Sequence, residues 1–216
     1  MSILNFVYTD EYVIAMADTL ASVASGIPHM FVTKIFPLPH INTIICGTGN
    51  YNTVLAWYNF IQESVIANNV DDLDQVSPLN IRNIYNKITG NNPIFTTIYH
   101  FGFIEKTEKY SGYAYRSKND FVSEKLEKGF GIKPPDEIDI EKMLSVSDGD
   151  TYKVFSEICK KQKEVDDNRS IDERLGIGGS VYLYMMKGKN ITINHLMDYS
   201  NRDEDNLAIR NKAINR

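Results

Sequence analysis

The sequence predicts an α+β domain in which antiparallel sheets are covered by helices. Three observations predict it. Strand and helix patterns arrive in blocks and not in strict alternation. Neighbouring strands are joined by short polar turns, as hairpins are. The helical stretches switch to an apolar spacing of three and four residues.

The elements follow in order. Ile3 to Val7 and Tyr12 to Ala17 are apolar runs around the polar turn Thr9-Asp10-Glu11, and read as a hairpin. Ser22 to Pro28 holds Gly26 and Pro28 and reads as a loop. Phe31 to Phe36 is the third strand. Pro37 and Pro39 lack backbone donors and should turn the chain. Asn42 to Cys46 is the fourth strand, ending at Gly47-Thr48-Gly49. Val54, Trp57, Tyr58, Ile61 and Val65 follow helical spacing, so Asn52 to Ala67 is an amphipathic helix with Trp57 in the core. Asp71 to Val76 is a polar connection. Ser77-Pro78 reads as an N-cap with proline at the first helical position. Ile81, Ile84, Tyr85 and Ile88 then make one face of a helix closed by Gly90.

The chain next returns to strands. Ile94 to Phe103 and Tyr110 to Arg116 form a hairpin, and Asp120 to Val122 begins a third short strand. Lys128 to Pro135 is a glycine- and proline-bearing loop. Asp139 to Leu144 is a short helix. Asp150 opens a longer one, to about Val165, that buries Val154, Phe155, Ile158 and Cys159. The run Lys160 to Lys163 is its solvated side. Asp166 to Arg174 is charged and exposed. Gly176, Gly178 and Gly179 precede strand Ser180 to Met186, and Lys187-Gly188-Lys189 turns into strand Asn190 to His195. All 216 residues read as one domain, with 200–216 a polar, frayed tail.

Composition narrows the function classes. A formal net charge of −5 argues against a general nucleic-acid binder. No run approaches the roughly 20 apolar residues of a membrane span, and the start lacks the pattern of a signal peptide. Cys46 and Cys159 have no metal-type spacing and read as reduced thiols of a cytoplasmic protein. His29, His40, His100 and His195 have no ligand spacing either and read as structural. No cofactor and no metal are expected.

The start of the chain carries the chemistry. Asp18 falls 16 positions after Ser2, and Lys34 falls 32 after it. Once Met1 is removed, Ser2 holds a hydroxyl and a free α-amino group on one residue. A serine hydroxyl is a weak nucleophile until a base takes its proton. An α-amino group, with a pKa of about 7.7–8.0, is a base poised near neutral pH. An ammonium at Lys34 would lower that pKa and stabilise developing negative charge. Asp18 would pair with Lys34 and hold it. Asp18 and Lys34 lie on separate predicted strands, so they can be neighbours. Gly47 is the candidate oxyanion donor, because a glycine at a strand end lets an N–H approach a substrate. The other reading of Gly47-Thr48-Gly49 is an ordinary strand-to-helix turn. Taken singly, Ser2, Asp18 and Lys34 are a start context, a strand-end acid and a solvated lysine.

Together these residues resemble the proteasome β-subunit family, including the bacterial proteasome-like peptidases, within the N-terminal nucleophile hydrolases. The matching residues are Ser2, the run Val13-Ile14-Ala15-Met16-Ala17-Asp18-Thr19, the run Lys34-Ile35-Phe36, and Cys46-Gly47. The resemblance is best over the first 65 residues or so. It implies a four-layer αββα sandwich of two antiparallel sheets between helix layers. It implies hydrolysis of peptide or other amide bonds, with Ser2, Asp18, Lys34 and Gly47 catalytic. It gives Ser22 a contact to substrate backbone, places Ile45 in an apolar specificity pocket, and brings Thr48 and Gly49 to the substrate. It implies a homo-oligomer, often a ring, that an ATP-dependent unfoldase can serve. No propeptide is read, so removal of Met1 would suffice to free Ser2.

The chain also departs from the family. The family's Ser-Gly-Ser-type loop is replaced by Lys128-Gly129-Phe130-Gly131. Its Asp-x-x-Ser-Gly segment is matched by Asp172 to Gly176, with Asp172 standing for the acid and Leu175 for the serine. Leu20 replaces the arginine that often follows the Asp-Ser pair. These departures motivate an alternative, a catalytically silent member acting as an assembly or binding module. A small-molecule amidase on the same scaffold is a third reading.

Overall fold

The computed structural model describes residues 3–134 and 151–214. Ser2 and the predicted helix Asp139 to Leu144 lie outside the described residues. The elements run β1 (Leu4–Tyr8), β2 (Val13–Asp18), β3 (Leu20–Ser22), β4 (Pro28–Phe31), β5 (Ile35–Leu38), β6 (Thr43–Thr48), α1 (Tyr51–Ser64) and α2 (Val70–Thr89). They continue β7 (Thr97–Ile104), β8 (Lys109–Arg116), β9 (Ser123–Lys125), β10 (Gly129–Lys133), α3 (Thr151–Asp167), β11 (Ser180–Lys187), β12 (Asn190–Asp198) and α4 (Arg202–Ile214). The strands make three antiparallel sheets. One has the order β10-β1-β2-β11-β12, the second β5-β6-β7-β8-β9, and the third is the hairpin β3-β4.

Period-two alternation sorts β1 between two cores. Leu4, Phe6 and Tyr8 pack with Ile44, Cys46, Tyr99 and Phe101 of the second sheet. Ile3 and Val7 pack with Phe155 and Ile158 of α3. Asn5 faces the same way and exchanges two amide hydrogen bonds with the buried Gln162, at 2.7 and 3.1 Å. A third core joins the second sheet to α1 and α2 around Trp57, Leu73 and Ile81. Trp57 donates its indole N–H to His100 Nε2 at 2.8 Å, deep in that core. Both cysteines are free and buried. Among the described residues no helix is long and apolar enough to cross a membrane.

Several predicted boundaries move for identifiable reasons. Pro37 does not turn the chain but lies within β5. That strand is the edge of its sheet, where a missing N–H removes no ladder bond. The predicted connection Asp71 to Val76 is helical. The N-cap of α2 is Asn69, whose side chain accepts from the N–H groups of Asp71 and Asp72, and Pro78 sits inside the helix. An interior proline costs about 3 kcal/mol. Complete burial of Val70, Leu73 and Ile81 offsets that cost.

The predicted loop Lys128 to Pro135 contains β10, paired to β1 with Gly131 opposite Phe6. A Cβ at position 131 would lie 2.1 Å from the Phe6 ring. Glycine is there for the close approach of an aromatic ring and not for a turn. The third short strand of the second sheet starts at Ser123, after a 3-10 turn at Ser117–Asn119. The polar end of the chain is not frayed over 202–214 but forms α4, with Asp205 buried.

Candidate functional site

Asp18 ends β2 and is almost wholly buried. Its Oδ1 accepts from Lys34 Nζ at 2.8 Å and from the N–H of Ile3 at 3.2 Å. Its Oδ2 accepts from the N–H of Gly178 at 3.2 Å. Lys34 Nζ also donates to the carbonyl of Leu20 at 2.6 Å. The Lys34 side chain is 4% exposed and the Asp18 side chain 0%. Burial pushes the Lys34 ammonium below the usual lysine value and the Asp18 carboxyl above its usual range, both against their mutual attraction.

Lys34 is not on a strand. The run Phe31 to Phe36 is divided, because Phe31 belongs to β4 while Ile35 begins β5 in another sheet. Residues 32–34 bridge the two, and the N–H of Val32 bonds the carbonyl of Thr19. That link carries Lys34 across to Asp18.

Two cavities flank Lys34. The larger, about 390 Å³, is lined by Asp18, Thr19, Phe31, Lys34, Tyr182 and Arg202 among others. The smaller, about 20 Å³, is lined by Lys34, Gly47, Thr48, Gly49, Tyr51 and Val54. Gly47 therefore lies beside Lys34, as does the rest of its segment. A Cβ there would meet Val54 Cγ2 at 2.7 Å and the Thr97 carbonyl at 2.8 Å. Close packing of α1 on β6 thus accounts for glycine at this position by itself.

The other predicted contacts are placed differently. Ser22 Oγ donates to the Leu175 carbonyl and ties β3 to the segment before β11. Ile45 is not among the residues lining the two cavities beside Lys34. It is fully buried in the core against α1, with Phe36, Val54 and Trp57. Alternation along β6 sends Cys46 toward the first sheet and Ile45 toward the helices.

Asp172 is exposed and takes no part in the site. The acid that organises this region is Asp166, at the end of α3, which the sequence reading placed on an exposed stretch. Its carboxylate is 1% exposed as a residue and accepts from the N–H groups of Leu175, Gly176 and Ile177 at 2.8, 2.9 and 3.1 Å. It thereby fixes the loop that presents Gly178 to Asp18. A signal for it was present. Cys159, Gln162 and Asp166 continue the buried stripe of α3 at spacings of three and four. Gln162 likewise belongs to the core and not to the solvated side. The cavity-lining residues Tyr182, Tyr184, Ile193 and Arg202 were also missed. Among the described residues no group of three His, Cys, Asp or Glu is arranged to hold a metal ion.

No protein-family profile and no curated protein sequence matches the chain. Solved structures do. It is similar to the Anbu (Gly-1) mutant from Hyphomicrobium sp. strain MC1, with a TM-score of 0.65 and 12% identity over 100% of this chain and 94% of that one. It is similar to Anbu (ancestral beta-subunit) from Yersinia bercovieri, with a TM-score of 0.61 and 9% identity over the same shares. At this identity the likeness shows the fold alone, which the chain shares with these Anbu structures.

Proposed function

We propose that this chain is a proteasome-like N-terminal serine hydrolase of peptide or other amide bonds, built on a four-layer αββα scaffold. One observation carries the reading. The buried Asp18–Lys34 pair is bonded directly to the N–H of Ile3, the residue that follows Ser2, at the edge of a cavity. An ammonium has three donors. Among the described residues Asp18 and Leu20 take two of the Lys34 donors; in the proposed reading the third serves Ser2.

In the proposed reaction the Ser2 amino group takes the hydroxyl proton as Oγ attacks the amide carbon. The buried cation at Lys34 keeps the amine neutral and steadies the oxyanion, to which the Gly47 N–H donates. The protonated amine then gives its proton to the leaving nitrogen, and water hydrolyses the ester. Asp18 orients Lys34, and Asp166 positions the loop that orients Asp18. The same reading proposes a cytoplasmic homo-oligomer, a ring in its fullest form, served by an unfoldase. Exposed Val23, Ile27 and Met30 beside the β3-β4 hairpin support self-association.

Intact mass of the purified protein tests the first step, and hydrolysis of acyl-amide and peptide panels by the parent and Ser2→Ala tests the second. Retention of Met1, or equal hydrolysis by the two proteins, refutes it. A second reading, a catalytically silent scaffold, is favoured by the closeness of Gly47 to Val54 and by the strand β10 where the family has a serine loop. It predicts no hydrolysis by either protein.

A further inference from the structure

The two cavities beside Lys34 are unequal in a way that bears on what binds. On the Gly47 side the space is about 20 Å³, enough for roughly one water molecule and for no amino-acid side chain. On the other side it is about 390 Å³, within the roughly 300–1,000 Å³ of small-molecule sites. That larger space lies where the small side chain of Ala17 faces Tyr182 across the β2–β11 pairing. One side of its wall is aromatic and aliphatic, from Tyr182, Tyr184, Ile193 and Phe31, and the other is polar, from Asp18, Thr19, Thr33, Lys34 and Ser180. Among the described residues neither tyrosine hydroxyl has a hydrogen-bond partner in the protein.

The rim carries Arg202, at the start of α4, with its side chain 48% exposed. Its nearest acid is Asp198 Oδ1, at 3.6 Å, beyond hydrogen-bond length. That same oxygen is already taken by Ser180 Oγ at 2.6 Å and by His195 Nε2 at 2.9 Å. The guanidinium is thus ion-paired with Asp198 only at long range, so its N–H fork can serve another acceptor, and a planar carboxylate is the group it fits best.

We infer that the ligand of this site is a small amide or short peptide whose apolar or aromatic body fills the Tyr182–Tyr184 cavity and whose free carboxylate is held by Arg202. Arg202 is then a specificity residue contributed by the last helix. The inference rests on the proposed hydrolase reading for the ligand's fate, and on the cavity alone for its binding.

Binding is tested with 3-phenylpropionate and its uncharged analogue 3-phenylpropanamide, titrated by NMR into the full-length protein. The acid is expected to bind at least fivefold more tightly than the amide. Arg202→Gln should erase that preference, Arg202→Lys should restore part of it, and Asp198→Asn should strengthen it. Tyr182→Ala should weaken both ligands and so locate them. Equal binding of acid and amide, an unaffected Arg202→Gln, or a preference that survives with shifts mapped away from Tyr182 overturns the inference. Chemical labelling of Ser2 is scored separately. Its failure alongside carboxylate binding removes the hydrolase reading and leaves this one standing.

Discussion

Lys34→Met, Asp18→Asn and the double variant form a cycle whose outcome the geometry dictates. Lys34→Met keeps the chain's bulk but leaves a carboxylate 0% exposed whose partners among the described residues are the N–H groups of Ile3 and Gly178. Asp18→Asn removes the countercharge of the buried ammonium, which keeps the Leu20 carbonyl, and turns an amide donor either toward the Gly178 N–H or toward the Ile3 N–H and Lys34. Removing one member of a buried ion pair costs about 3–5 kcal/mol, because the other charge stays buried. Both side chains are sealed from solvent, so screening gives no relief. The double variant holds no charge at this buried position, and its cost should fall short of the sum by at least about 2 kcal/mol. Each single loss is a large part of the roughly 5–15 kcal/mol that stabilises a typical domain. Urea unfolding of the four proteins at pH 7.5 measures the cycle. Single losses below about 1 kcal/mol, or additivity within about 0.5 kcal/mol, would show that the pair is not the buried, mutually dependent unit described here.

Asp166→Ala should destabilise by about 2–4 kcal/mol, since it orphans three backbone donors, while Asp172→Ala should stay within about 0.5 kcal/mol. Thermal melts of the two compare them, and equal effects would contradict the assignment of Asp166. Burial pushes His100 down to about 3, below its unfolded value of about 6.5. The folded state thus binds fewer protons, so this stability is complete above about pH 6.5 and drains away as pH falls toward 3. His100→Gln, which keeps an acceptor for Trp57, should flatten that limb by up to about one proton in urea midpoints taken from pH 7 to 4. An unchanged slope would place the proton uptake elsewhere. Gly47→Val should cost folding stability or force α1 outward, read as a lower melting temperature. A neutral outcome would mean that the Val54 contact has room to give.

The first hairpin and the last two strands were legible because their runs are set apart by short polar or glycine turns, and α1 because its apolar residues keep helical spacing over the whole element. Pro78 and Gly129–Gly131 misled because punctuation is local and burial is not. Leu73 and Ile81 hold α2 through its proline, and the Phe6 ring calls for a glycine inside a strand. At the site, the spacing of Asp18 and Lys34 pointed to their meeting, and they meet. The means was hidden, since the link at 32–34 crosses between sheets instead of lying in one. Asp166 was obscured by the charged residues around it, although the α3 stripe led to it. Tyr182 and Arg202 could not be read as neighbours of Lys34, because only the assembled order β2-β11-β12 and the placement of α4 bring them there.

Peptide mapping after treatment with a β-lactone acylating reagent measures the central claim most directly. The account predicts a chain that begins at Ser2 and carries one acyl adduct on that residue, with none in Ser2→Ala and a slowed reaction in Lys34→Met. A retained Met1, an adduct on another residue, or equal labelling of Ser2→Ala would contradict it.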